Sequence, residues 1–171
     1  LFRYFKQATF IGGEWNNITA ISNRTLCVWY LAYVIFLLER KYGINFSINM
    51  GVPTDETSYI AKKRLAVEIL ASSYKLVEEI YNNDFQSFLN EKVDVLLKKT
   101  EHMMFTNELK EDYNINIFPE AYASLIALTS RRKLPEGMSL TADIGGGTTD
   151  ISFFTIENDI PMIYKYWSIP R

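Results

Sequence analysis

Apolar residues recur at helical spacing through the first part of the chain. The apolar run from Cys27 to Leu38 predicts a buried helix over 23–41, which Gly43 would end as a C-terminal cap. A second helix is predicted over 55–81, with Thr54 as its N-cap. Its predicted buried stripe comprises Ile60, Val67, Leu70, Tyr74, Val77 and Tyr81. Asn82, Asn83 and Asp84 interrupt the pattern, and a further helix is predicted to about residue 99.

Strict alternation of apolar and polar residues predicts strands in the remaining segments. Two short strands are expected over 44–50 and 113–118, with long helices between them. Such strands are typically parallel neighbours joined by a crossover. A helix with Pro119 in its first turn is predicted to run to about residue 130. Three further strands, over 138–144, 149–156 and 161–168, predict an antiparallel meander and give an α/β fold class.

Composition and net charge indicate which ligands and which cellular locations the chain is suited to. The chain is 171 residues long, 48% hydrophobic, and carries a net charge of −2, which argues against non-specific binding to nucleic acid. Cys27 is the single cysteine, so we expect a core residue and no internal disulfide. The apolar run that contains it is shorter than the roughly 20 residues that span a bilayer. We therefore expect no membrane span and a cytoplasmic location.

The segment from Leu140 to Ser152 carries the clearest chemistry. Asp143 ends a predicted strand, and Gly145, Gly146 and Gly147 follow before two threonines and Asp150. Consecutive glycines expose backbone N–H groups that can surround an anion, and the threonine hydroxyls add donors. An acidic residue at the strand end is placed to hold a hydrated cation. A plain hairpin turn is the alternative interpretation.

Two common nucleotide motifs do not fit this segment. No lysine follows the glycines, which excludes a Walker A loop. Strand rather than helix character follows the glycines, which argues against a dinucleotide fingerprint.

Three segments resemble one superfamily of ATPases. The string DIGGGTTDIS, residues 143–152, looks like the second phosphate-binding motif of the actin/Hsp70/sugar-kinase superfamily. Residues 117–125 resemble the strand-to-helix segment that links the two lobes in that superfamily, especially its Pro-Glu form in plasmid-partitioning actin-like proteins. Residues 44–53 are similar to the strand that ends in Val-Pro in Hsp70-like and actin-like ATPases. The three segments occur in the superfamily's order.

The resemblance implies a ribonuclease-H-like fragment with two parts. Residues 1–134 would form the C-terminal half of a first actin-like lobe with a helical insert, and 135–171 the opening meander of a second lobe. The superfamily's first phosphate loop and adenosine motif have no counterpart in this sequence. We therefore expect the 171-residue chain alone to bind ATP poorly or not at all. The incomplete sheet of the first lobe would leave unpaired edges, which would allow self-association into filaments or dimers.

The resemblance also implies roles for individual residues. Glu120 would orient the attacking water and Asp143 would bind Mg²⁺ through coordinated waters, so both would be catalytic. The phosphates of ATP would be bound by Gly145, Gly146, Gly147, Thr148 and Thr149. Thr149 and Asp150 would also shape the turn.

The implied function is ATP binding and hydrolysis that drives filament assembly. An Hsp70-like chaperone ATPase is the close alternative, because three glycines precede the threonine. Sugar kinases share the loop, but no sugar-binding signature is visible in the sequence. A scaffold that keeps the fold without hydrolysing nucleotide is a further alternative.

Overall fold

The computed structural model describes residues 9–10, 21–43, 48–52, 59–104, 115–120, 122, 125, 137–144, 148–157 and 160–170. Over these ranges the chain has mixed α/β structure, with a two-stranded parallel sheet and a three-stranded antiparallel sheet. The predicted α/β class, parallel strand pair and meander are therefore confirmed.

The chain divides into two compact units. The first comprises Leu1–Asn49 and Arg64–Asn116, and the second comprises Met50–Lys63 and Ile117–Arg171. The predicted boundary between residues 134 and 135 separates two lobes of a ribonuclease-H-like fold. The compact units do not test this boundary, so it stays a prediction.

The helical segments between residues 21 and 104 are α1 (Asn23–Tyr42), α2 (Tyr59–Lys75), a π-helical turn (Leu76–Ile80), α3 (Phe85–Leu89) and α4 (Val93–Met104). Helix α1 begins and ends as its sequence predicts. The Ser22 hydroxyl accepts a hydrogen bond from the Thr25 backbone N–H at 3.1 Å. At the other end Gly43 has a φ of 87°, and its N–H donates to the Glu39 carbonyl at 2.9 Å. Glycine suits this left-handed backbone because it has no Cβ.

Helix α1 is buried on one side only, which corrects the prediction of a buried helix. Cys27, Val28 and Phe36 lie in the core, as expected for Cys27, whereas Tyr30 and Leu37 are exposed. Among the described residues, no helix combines the length and the apolar character needed to cross a bilayer.

Helix α2 ends earlier than predicted, and its stripe is only partly buried. Leu70, Tyr74, Val77 and Tyr81 are buried, but Ile60 is 84% exposed. After α2 the chain widens into the π-helical turn, and the predicted N-cap at residue 54 lies outside the described residues. The helix predicted to about residue 99 is instead the pair α3 and α4.

Aromatic rings form the core that joins α1 to the segment after the π-helical turn. The Phe36 ring lies 5.5 Å from that of Phe85 and 5.2 Å from that of Phe88. The Phe88 ring meets Tyr81 edge-on at 5.5 Å. Phe36 is 1% exposed, so its removal would leave a cavity in this cluster.

A buried hydroxyl joins α1 to α4. The Trp29 indole N–H donates to the Thr100 hydroxyl at 2.8 Å, and that hydroxyl donates to the Leu96 carbonyl at 2.8 Å. Thr100→Val keeps the side-chain shape and removes both bonds. We expect the free energy of unfolding to fall by about 1–2 kcal/mol, because the indole loses its acceptor.

Guanidinium unfolding of Thr100→Val, compared with the unmodified chain and with a control variant, measures this loss. Thr155→Val is the control, since the Thr155 hydroxyl donates at 3.1 Å to the Tyr164 hydroxyl at an exposed position. That change should cost about 0.5 kcal/mol or less. Equal stability of Thr100→Val and the unmodified chain would contradict the role given to the Thr100 hydroxyl.

The strands of the parallel pair are shorter than predicted over the described residues. Strand β1 is Asn49–Val52 and strand β2 is Asn116–Pro119, while 44–47 and 113–114 lie outside the described residues. Pro119 is the last residue of β2 rather than part of the first helical turn, and the next helix begins at Glu120. A residue before a proline favours extended backbone, which fits a strand that runs up to this position.

The meander consists of β3 (Gly137–Ile144), β4 (Thr148–Glu157) and β5 (Ile160–Pro170). These bounds lie close to the predicted strands. Both pairings are antiparallel, and a β-bulge interrupts the β4–β5 ladder between Phe153 and Phe154.

The two faces of the meander differ in what covers them. The inner face carries Phe154 and Ile156, which form a buried cluster with Leu125 of the helix that begins at Glu120. Because directly paired residues of neighbouring strands share a face, the strand register shows on which face each of the other paired residues lies. The outer face carries Met138, Leu140, Ala142, Ile144, Thr149, Ile151, Phe153, Thr155, Glu157, Met162, Tyr164, Lys165, Trp167 and Ile169.

Candidate functional site

The predicted site surrounds the turn between β3 and β4. Strand β3 ends at Ile144 and β4 begins at Thr148, so the three glycines join two antiparallel strands. Gly145, Gly146 and Gly147 themselves lie outside the described residues, as does the side chain of Thr148. The order of strand, glycine turn and returning strand is the one the sequence predicts.

Two carboxylates face each other across this hairpin. Asp143 pairs directly with Asp150, so both side chains lie on the inner face at the end next to the glycines. Asp143 is exposed and Asp150 is half-buried. Like charges in directly opposed positions of a sheet cost roughly 0.2–1 kcal/mol. A cation bound near the pair would offset this repulsion.

The register separates Thr149 from the aspartates. Thr149 pairs with Ile144, and both lie on the outer face. Its side chain therefore lies on the face opposite to the one that carries Asp143. The role of Thr149 in binding stays a prediction.

Glu120 lies at the junction of β2 and the helix on the inner face. It is half-buried, and the same helix contributes Leu125 to the cluster with Phe154. Leu125 therefore packs on the inner face of the meander, which also carries Asp143 and Asp150 nearer the turn. These three acidic residues belong to the second compact unit.

Gly51 of β1 provides the space that Glu120 occupies. A Cβ built on Gly51 would lie 3.1 Å from the Glu120 Cγ and 3.5 Å from its Cα. Two of the three segments that resemble the ATPase superfamily therefore meet at this contact. The sequence contains Gly51 within a resembling segment, but nothing in the sequence shows which side chain it faces.

We expect Gly51→Ala to destabilise the chain by about 1 kcal/mol, because the added methyl group overlaps a neighbour that must move. Thermal unfolding of four proteins tests this: the unmodified chain, Gly51→Ala, Glu120→Ala and the double variant. Glu120→Ala removes the Cγ that the new methyl group approaches, so the Gly51 substitution should cost nothing measurable in its presence. Equal costs in both backgrounds would show that the contact with Glu120 is not the cause.

No group of three or more His, Cys, Asp or Glu side chains that could hold a metal ion occurs among the described residues. The Asp143–Asp150 pair is thus a two-carboxylate arrangement as far as the structure describes it.

The chain was compared with models of protein families, with curated proteins and with solved structures, and none matches it.

Proposed function

We propose that this chain contributes one phosphate-binding loop and a water-orienting carboxylate to an ATPase of the actin/Hsp70 type. The observation that carries the proposal is the hairpin at 143–150. A glycine string that resembles the superfamily's phosphate motif joins two antiparallel strands and has an aspartate on each side. A second observation supports the proposal: Leu125, which follows Glu120 in the chain, packs on Phe154 and Ile156 of the sheet face that also carries the two aspartates.

The chemistry follows from the groups available. Backbone N–H groups of Gly145, Gly146, Gly147 and Thr148 would donate to the phosphate oxygens, where charge develops during hydrolysis. Glu120 would accept a hydrogen bond from water and orient it toward the terminal phosphate. Glycines would allow this approach because they have no side chain of their own.

The donor set also fits Mg²⁺. Carboxylate oxygens are the ligands that this ion prefers, and Asp143 and Asp150 present them opposite each other. When bound, Mg²⁺ would neutralise part of the charge of the polyphosphate. Asp143 is the ligand predicted from the sequence, and the register adds Asp150 as a second candidate.

Within this superfamily, a cytoplasmic filament-forming protein similar to plasmid-partitioning actin-like proteins is the function we favour. The Pro119-Glu120 junction and the helices between β1 and β2 support it. An Hsp70-like chaperone is the second candidate, favoured by the three glycines before Thr148. Light scattering on addition of ATP separates the two, since only filament assembly gives a large, reversible increase.

Nucleotide binding is the decisive measurement. Titration calorimetry on the longest natural polypeptide that contains this sequence should detect ATP with Mg²⁺, and Gly146→Val should lower the affinity by at least tenfold. Ser139→Ala, on the same strand and face as Asp143 but away from the turn, is the control and should bind like the unmodified protein. Absence of ATP binding in the unmodified protein would support the non-hydrolysing scaffold instead.

The metal proposal has its own readout in thermal unfolding. Millimolar Mg²⁺ without nucleotide should raise the melting temperature of the unmodified protein more than that of Asp143→Asn or Asp150→Asn. In the absence of Mg²⁺, Asp143→Asn should melt at or above the unmodified protein, because Asp143 is exposed and one of two opposed charges is gone. An equal Mg²⁺ effect in all three proteins would rule out this pair as the site.

A further inference from the structure

The outer face of the meander is apolar and exposed. The exposed large apolar side chains of this face, which lie on β3 and β5, have exposed fractions from 41% for Trp167 to 74% for Met138, whereas Ile151 and Phe153 of β4 are half-buried. The other exposed apolar side chains of this face are Leu140, Ile144, Met162 and Ile169. The Tyr164 side chain, at the β-bulge, is 60% exposed, and its ring lies tilted against that of Phe153 with the centroids 6.1 Å apart.

The solvent-exposed apolar area of the outer face is about as large as the area that each partner buries in a stable protein interface. From their exposed fractions, these seven side chains leave roughly 700–800 Å² in water, beyond the 300–600 Å² of the largest patch on a typical monomer. Each partner in a standard protein interface buries about 800 Å². An occupant of this face must therefore match the whole three-stranded sheet, and a second sheet of the same size does so.

Charge on the outer face is sparse and self-complementary. Lys165 and Glu157 are the charged residues among its described positions. Lys165 is level with Phe153, two residues before Thr155, and Glu157 lies two residues after Thr155. A twofold axis that crosses the strands at Thr155 would bring Lys165 of each copy to the level of Glu157 of the other copy.

The composition of the face also favours a protein partner, because Met, Tyr and Trp are enriched in interfaces. Lys165 Nζ lies 5.4 Å from the centre of the Trp167 ring, and this cation–π contact holds the ammonium group on the face.

We propose that the outer face of the meander is the interface between two copies of this chain. The two sheets pack face to face about a twofold axis, which is the commonest symmetry of homo-oligomers. This inference concerns the sheet surface alone and does not depend on nucleotide binding.

Sedimentation equilibrium of the 171-residue chain without nucleotide tests the proposal. Over about 1–100 μM we expect a reversible equilibrium between the 19.9 kDa chain and a dimer. Leu140→Lys should raise the dissociation constant at least 100-fold, because it buries an unpaired charge at the centre of β3. Val93→Lys is the matched control, since Val93 is 58% exposed and Leu140 61%, but Val93 lies at the start of α4.

A charge exchange tests the twofold arrangement itself. Lys165→Glu and Glu157→Lys should each weaken the dimer, and the double variant should recover most of the loss. Circular dichroism verifies that each variant is folded. The proposal would be overturned if the chain is monomeric at 100 μM or assembles beyond the dimer. It would also be overturned if Leu140→Lys and Val93→Lys weaken the dimer equally.

Discussion

Replacing Glu120 by glutamine should lower ATP turnover by about 10²–10⁴-fold and change ATP affinity little. Glutamine has nearly the same shape, but it cannot accept the proton of the attacking water or orient it as a carboxylate does. The loss should therefore appear in kcat rather than in binding. Phosphate release with Mg²⁺ and ATP, measured on the longest natural polypeptide that contains the chain, gives kcat, and calorimetry gives the affinity.

A second glutamate in the same unit provides the control. Glu157 lies at the end of β4 on the outer face, away from the glycine turn, so Glu157→Gln should hydrolyse ATP at the unmodified rate. Unchanged turnover in Glu120→Gln would remove Glu120 from the proposed mechanism. It would leave the binding of ATP by the glycine turn to be judged by calorimetry.

Replacing Phe36 by alanine should lower the free energy of unfolding by about 3–5 kcal/mol. The ring is 1% exposed and contacts Phe85 and Phe88, so its removal loses buried area and two aromatic pairs and leaves a cavity. Because native domains have about 5–15 kcal/mol in total, a loss of this size approaches the stability of the unit.

The next residue in the chain is the matched control for Phe36. Leu37 lies on the same helix but is 41% exposed, so Leu37→Ala should cost about 1 kcal/mol or less. Guanidinium unfolding followed by circular dichroism compares the two variants. Similar costs at both positions would show that the aromatic cluster does not hold α1 in place.

Helix and strand types follow from the sequence because spacing and caps carry them locally. Gly43 ends α1, and the three strands of the meander lie close to their predicted bounds. Spacing and caps do not show which side of a helix or strand is buried. Ile60 fits a helical stripe by spacing, yet it is 84% exposed, because burial depends on which neighbour the helix meets.

The residues of the candidate site could be predicted from the sequence, but their arrangement could not. The sequence identifies Asp143, Glu120 and the glycines by type and order, but the opposition of Asp143 and Asp150 depends on how many residues the turn uses. A glycine turn can close in several registers, and a shift by one residue would put one of the two side chains on the other face. The contact of Gly51 with Glu120 joins residues far apart in the chain, which local patterns do not encode.

The π-helical turn at Leu76–Ile80 sets the direction in which the next side chain, that of Tyr81, leaves the helix. The Tyr81 N–H bonds to the Leu76 carbonyl at 3.1 Å, five residues back, so this segment holds one residue more than an α-helical turn would. Loss of a single residue here would turn the next side chains by about 100°. Tyr81 would then leave Phe88, and the ring cluster would lose its edge-on member. The extra residue therefore makes this part of the chain intolerant of deletions, although Glu78 and Glu79 within it are exposed to solvent.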